Sequence, residues 1–491
     1  MNFAETAKNV ATFKTTENGA FAYNTTKNAL LDLFAQIGSL RPRSEAEIKN
    51  KIADAMAIDP LLATKMIFYA GNVRGGLGER RTFRIALKFL ANAYPDIVRA
   101  NAHLIPHFNR WDSLFVLIGT PVEQCVWDII VEQLNLDMQD IKRTKDTGKF
   151  VGISLLAKWM PTETAHSAET RKLARICMKK LGITPRSYRK VLSALRAHLK
   201  VVESLMSAQK WDQIEYPAVP SYAMKNYHGA FAKHDPDGFA QYKESLQKGE
   251  KKINASTLYP YDLVHKYWNG GTYTDEIIEA QWKALPNYVE GENNILVMAD
   301  VSGSMYGRPI ESSIGLATYF AQRNHGDYKN LYMTFTDHPH FVSLGENSTL
   351  ASAVYKIRRT DIGFSTDLYA AFGYILNHAV ANNIKPEDMP KALVVISDME
   401  IDPYFRGTKN LDFVQKVKAD FARYGYSLPK LCLWNVEARN DTFLTQSDDV
   451  LLVSGQSASV FKNLCANLNG KTAWDLMLEV LNDKIYDCIK V

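Results

Sequence analysis

Residues 295–304 read ILVMADVSGS: five apolar residues, then Asp300, Ser302 and Ser304 at alternate positions. An apolar run this short, closed by turn-forming residues, is the pattern of a strand buried on both faces. Buried strands of that kind belong to parallel sheets covered by helices. The residues that follow repeat the theme. A helix is predicted over 309–323, and a strand pair over YKNLYMTF (328–335) and HFVSL (340–344). Helices follow near 348–359 and 367–382, and ALVVISD (392–398) is a second buried strand. A helix near 408–424 leads to the strands LCLWNV (431–436) and VLLVSG (450–455), with terminal helices near 457–467 and 472–489. Strands alternating with helices imply a doubly wound, mainly parallel α/β sheet over residues 291–491.

In such a sheet, ligands gather at the carboxyl ends of the strands. Three loops bring hard oxygen atoms to that edge. The first carries Asp300, Ser302 and Ser304. The second, GFSTDL (363–368), carries Ser365, Thr366 and Asp367. The third, VVISDME (394–400), carries Asp398, with Glu400 close behind. Carboxylates and hydroxyls without His or Cys suit Mg²⁺ or another divalent cation. A plainer reading makes the hydroxyls helix caps and the two aspartates turn residues. A serine nucleophile is disfavoured, because Asp300 stands where the elbow motif needs glycine and no histidine is placed as base. No G-x-x-x-x-G-K-[ST] motif is present.

Outward from this region, composition bounds the rest. The 491 residues are 46% hydrophobic and 23% charged, an ordinary globular balance that excludes long disorder. The net charge of +5 conceals a split. Residues 1–290 carry 39 Lys and Arg against 30 Asp and Glu, and residues 291–491 carry 19 against 23. Five scattered cysteines form no C-x-x-C and argue against a disulfide framework. No signal-peptide core or apolar run of membrane-spanning length is present, so a cytoplasmic setting with no membrane partner is expected.

Residues 25–215 show apolar residues three and four apart, as in AEIKNKIADAMAI, LLATKMIFYAG and VWDIIVEQLNL. Serial helices broken at Gly and Pro predict an α-helical solenoid or bundle. Residues 216–292 read as short helices and loops, with a linker near 284–293. Within 171–200, Arg171, Lys172, Arg175, Lys179, Lys180, Arg186, Arg189, Lys190, Arg196 and Lys200 stand with no acidic residue among them. Phosphate is the natural counter-charge to such a field, and Tyr188 and Trp159 could stack on bases. A solvated face, or one docked against the acidic second domain, is the alternative. Arg74, Arg80 and Arg81 flank a glycine-rich GGLG turn that could offer backbone N–H groups to phosphate, or could be a plain inter-helix turn. His103 and His107 lack an H-E-x-x-H frame and read as packing residues.

The Asp300–Ser302–Ser304, Thr366 and Asp398 set resembles the metal-ion-dependent adhesion site (MIDAS) of von Willebrand factor A domains. The second loop departs from the usual Gly-Gly-Thr, leaving Ser365 and Thr366 both open as the ligand. The segments RGGLGERRTF (74–83), FNRWDSLF (108–115), LLAKWMP (155–161), VPSYAMKNYHGAF (219–231), LCLWNV (431–436) and LLVSGQS (451–457) occur in an order that resembles TROVE-like proteins with a C-terminal von Willebrand A domain. That family is found in bacteriophages and large viruses and is distantly related to the Ro ribonucleoprotein autoantigen. The resemblance implies a HEAT-repeat helical ring over 1–290 that binds structured or single-stranded RNA. It implies a Mg²⁺-holding von Willebrand A domain over 291–491, no catalysis, and host cytoplasm as the setting for a viral protein. A metal-dependent protein–protein scaffold, taking an acidic protein ligand at the metal, is the competing expectation. A metal-dependent phosphoesterase ranks third, since one cation with few ligands is a poor phosphodiester site.

Overall fold

In the computed structural model, residues 12–270, 273–291, 293–359, 363, 365–403, 412–466 and 470–491 are described. A six-stranded sheet occupies the C-terminal part, in the order β5-β4-β3-β6-β7-β8. The strands are β3 (Ile295–Asp300), β4 (Leu331–Phe335), β5 (His340–Ser343), β6 (Ala392–Ser397), β7 (Lys430–Asn435) and β8 (Leu451–Ser454). All neighbours are parallel except β4 and β5, whose short connection can only make a hairpin. The central strands β3 and β6 are buried along their whole length, as their continuous apolar sequence requires.

Helix Arg308–Arg323 packs directly on β3, β4 and β6 and is itself almost wholly buried. Gly315 is what lets helix Pro260–Trp268 lie against it: a Cβ at 315 would sit 3.0 Å from Pro260 Cβ. Helices Leu350–Arg358, Leu368–Ala381 and Phe413–Arg423 follow the predicted sites, the first two closely. The predicted start of the last one, at 408, lies outside the described residues.

The contacts divide the chain differently from the expected boundary at 290. One compact unit joins residues 1–82 to 255–488, and the other comprises 83–254 with 489–491. The cause is local and physical. Two short strands, β1 (Phe13–Thr15) and β2 (Phe21–Tyr23), form an antiparallel hairpin that sequence patterning missed. Tyr23 then exchanges both backbone hydrogen bonds with Phe443. Farther on, Gly38 packs so closely on the end of β8 that a Cβ there would lie 2.7 Å from the Gly455 backbone. Ser454 Oγ donates to Phe34 O at 3.1 Å and accepts from Gly38 N–H at 3.0 Å. Residues 12–82 therefore belong to the α/β unit.

The second unit is helical, with no strand among its described residues. Its longer helices are Glu123–Thr147, Ala168–Lys180, Pro185–His198, Ser221–His234 and Pro236–Gln247. Trp127, Ile130, Ala174, Cys177, Tyr188, Leu192 and Leu195 are buried in it, as are Tyr216, Phe231, Phe239 and Tyr242. Residues 221–247 are more regular than expected. Pro236 and Pro260 open helices, where a missing N–H costs nothing. No described helix in either unit is long and apolar enough to cross a membrane, and no disulfide forms.

Candidate functional site

The strand order reverses between β3 and β6, which makes a crevice at their carboxyl ends. Asp300 ends β3, and Asp398 directly follows β6. The second loop is tied to the same edge. Thr366 N–H donates to Asp402 Oδ2 at 2.6 Å, and Asp402 N–H donates to Thr366 O at 3.0 Å. Gly363 lies against Thr336, at the end of β4, so closely that a Cβ would approach to 2.6 Å. The fold thus brings all three oxygen-bearing loops to one edge.

Asp300, Ser302, Thr366 and Asp398 are buried, with 0–1% exposure, and Ser304 is half-buried. Asp300 Oδ1 accepts the Ser302 N–H at 2.9 Å, and its Oδ2 accepts the Ser397 hydroxyl at 2.6 Å. The Ser302 and Ser304 hydroxyls lie 3.1 Å apart. Burial, then the nearby Asp398 charge, push the Asp300 carboxyl up to about 7, against the hydrogen bonds from Ser302 and Ser397. Two buried carboxylates at one edge call for a positive counter-charge.

The hydroxyls of the second loop divide clearly. Ser365 Oγ donates to Asp402 Oδ2 at 2.6 Å, whereas Thr366 Oγ1 is buried without a hydrogen-bond partner among the described residues. A buried hydroxyl left unsatisfied is costly. It is the kind of atom that a bound cation or its water would satisfy, and it favours Thr366 over Ser365 as the donor. No group of three His, Cys, Asp or Glu side chains gathers as a metal cage among the described residues. The donor set here is two carboxylates and three hydroxyls, which fits a hydrated hard cation.

Two neighbouring acids serve the fold. Asp367 caps helix Leu368–Ala381 by accepting the Ala370 N–H at 2.7 Å. Glu400 accepts the Glu17 N–H at 2.6 Å and the Thr442 hydroxyl at 2.9 Å, so it anchors the N-terminal hairpin. One residue that sequence reasoning passed over stands at the centre. Arg439, four residues after β7, forms an ion pair with buried Asp398 and donates to Ser304 O at 2.6 Å. Nothing in its local sequence marks it; the contact depends on β7 lying beside β6.

The basic stretch of the helical unit separates into two groups. Five of its ten cations hold the fold or pair on the surface. Arg171 donates to the carbonyls of Ala165 and His166, and Arg196 to those of Ala157 and Met160. Lys180 pairs with Glu123, Arg189 with Glu163, and Lys200 with Glu215. Hydrogen bonds from Lys180 and the Trp127 indole hold the Glu123 carboxyl down at about 2. The other five, Lys172, Arg175, Lys179, Arg186 and Lys190, are exposed and make no ion pair among the described residues. Lys172, Arg175 and Lys179 share one helix face by their spacing of three and four. The expected stacking aromatics are otherwise engaged. Tyr188 is buried and donates to Pro161 O at 2.7 Å, and the Trp159 ring carries the Arg110 guanidinium 3.8 Å from its centroid.

Arg74, Arg80 and Arg81 fall in the α/β unit, apart from the other ten. All three are exposed, and Arg81 donates to the carbonyls of Arg41 and Arg43. The GGLG turn is no phosphate cradle. Its N–H groups at Leu77, Gly78 and Glu79 bond to carbonyls of 69–72, and those of Arg74 and Gly75 to Asn72 Oδ1. Gly76 is required by packing, since a Cβ would lie 2.2 Å from Tyr69 O.

Divided along the compact units, the charge asymmetry sharpens. The helical unit carries 27 Lys and Arg against 17 Asp and Glu, and the α/β unit 31 against 36.

A family model described as a domain of unknown function, DUF2828, matches residues 16–109 and 177–294. A second, described as DUF7788, also a domain of unknown function, matches residues 294–476. The chain is 28% identical, over 492 aligned positions, to the uncharacterized protein L728 of Acanthamoeba polyphaga mimivirus. The match covers 92% of this chain and 84% of that protein. That relative is a large-virus protein, which agrees with the expectation of a large-virus relationship.

Proposed function

We propose that this protein is a non-enzymatic RNA-binding protein of the Ro type. Its helical unit, read as HEAT-like repeats of the TROVE kind, holds RNA phosphates. Its α/β unit, read as a von Willebrand A domain, holds Mg²⁺ or another divalent cation. The observation that carries the RNA reading is the set of five exposed cations, without an ion pair among the described residues, on two consecutive helices of a unit with excess positive charge. Exposed Lys and Arg without acidic partners release counter-ions when they meet phosphate, which makes sequence-independent affinity. The strand order and the single antiparallel hairpin at one edge support the von Willebrand A reading. The test is fluorescence anisotropy with a labelled RNA carrying a single-stranded 3′ end, titrated at several salt concentrations. Binding should weaken steeply with salt, by a slope of roughly 0.7 per phosphate contacted. Affinity that ignores salt would refute the proposal.

A second reading is a metal-dependent scaffold that takes an acidic protein ligand. The Thr366 hydroxyl, buried without a partner among the described residues at the sheet edge that carries two buried aspartates, favours it. In that case a pulled-down partner is lost with Asp300→Ala or with a chelator, and no RNA co-purifies.

A further inference from the structure

Asp398 has no exposure at all, yet its carboxylate faces a guanidinium from the loop after the next strand, β7. The Arg439 side chain is 32% exposed, so one end of it reaches water while the other holds the buried acid. It joins two of the three loops of the candidate metal site. Nη2 contacts both Asp398 Oδ2 and Ser304 O, and Nη1 lies 3.5 Å from Glu17 Oε2. Asp398 Oδ1 accepts the Glu400 N–H at 3.1 Å, and Oδ2 is the oxygen that Arg439 holds.

The backbone that carries Arg439 is pinned. Ala438 N–H donates to Ser39 O at 2.9 Å, and Arg43 donates to Arg439 O at 2.8 Å. Asp441 pairs with both Arg43 and Lys51. Movement is therefore confined to the long side chain, whose three-carbon stem can swing outward with no rearrangement of the loop.

From this geometry we infer that Arg439 is a tethered cation that a divalent metal must displace from Asp398, so that Arg439 sets the metal affinity of the site. This inference rests on the metal reading given above. A guanidinium and a metal ion at the same carboxylate oxygen repel each other, and the tethered guanidinium competes for it at high effective concentration. Displacement is feasible because Arg439 has water and Glu17 within reach once it leaves, whereas Asp398 has no exit from the protein.

The test uses the full chain and Mn²⁺ as probe, with binding followed by calorimetry and by electron paramagnetic resonance. Arg439→Gln removes the tethered charge and should tighten Mn²⁺ binding about tenfold. Arg439→Lys keeps the charge and should stay near the parent. Equal or weaker binding by Arg439→Gln, with binding still lost in Asp300→Asn, overturns the displacement while the metal reading stands. Absence of Mn²⁺ binding by both the parent and Arg439→Gln at millimolar concentration sinks the metal reading, and the inference with it. A measurement on the unmodified protein guards against misfolded variants. Mn²⁺ should raise the rate of phenylglyoxal modification at Arg439 several-fold, read by peptide mass, and an unchanged rate overturns the inference.

Discussion

The carboxyl edge of the sheet and the helices of 168–198 are both dense in charge, and they handle it in opposite ways. At the sheet edge Asp300 and Asp398 are buried and held by named donors, and Arg439 supplies the counter-charge. On the helices five cations are exposed and make no ion pair among the described residues, and the rest are fold-holding or paired on the surface. Buried charge fixes geometry and so can select one ion or one ligand atom. Exposed charge makes a field that salt screens and that many polyanions can satisfy. The contrast predicts a discriminating site in one unit and a tolerant one in the other.

The largest expected effect comes from breaking the buried side. Arg439→Ala leaves the fully buried Asp398 carboxylate without its counter-charge and should destabilise the α/β unit by about 3 kcal/mol, measured by urea unfolding. A loss under about 1 kcal/mol would mean that the pair is as dispensable as a surface one. Next is the packing that binds the N-terminal segment to the sheet. Gly38→Ala forces a Cβ to 2.7 Å from the Gly455 backbone. It should cost about 2 kcal/mol, with faster hydrogen exchange in residues 29–71 and β8 and none in residues 123–198.

The exposed side is broken by charge reversal. Lys172→Glu, Arg175→Glu and Lys179→Glu together should weaken RNA binding at least tenfold, or about 1.4 kcal/mol, and flatten the salt dependence. The same readout for Arg196→Gln, whose guanidinium holds two carbonyls, should show lost stability with the salt slope retained. Equal slopes for both variants would erase the distinction between the two groups of cations. The smallest effect is expected at Lys180→Ala. Its pair with Glu123 is partly exposed and should be worth about 0.5 kcal/mol or less by thermal melting.

Much of this was legible in the sequence. The runs 295–299 and 392–397 can only be buried parallel strands, because continuous apolar sequence leaves no face for water. Their closing residues, Asp300 and Asp398, follow at once as edge groups. That residues 168–198 are helical was legible from the serial-helix pattern of 25–215, and the structure adds their caps at Ser167 and Thr184. Periodicity did not reveal which cations were free, since Glu123, Glu163 and Glu215 reach Lys180, Arg189 and Lys200 from outside the window.

The sequence by itself determined the two secondary-structure regimes, the charge asymmetry and the oxygen-bearing loops, because each is a local pattern of side chains along the chain. The tertiary structure alone decided the division into units at 82 and 255, through a β-bridge and a glycine contact more than 400 residues apart. It alone left Thr366 rather than Ser365 with a hydroxyl unpartnered among the described residues. And it alone set Arg439 on Asp398, because only the pairing of β6 with β7 brings those two loops within reach.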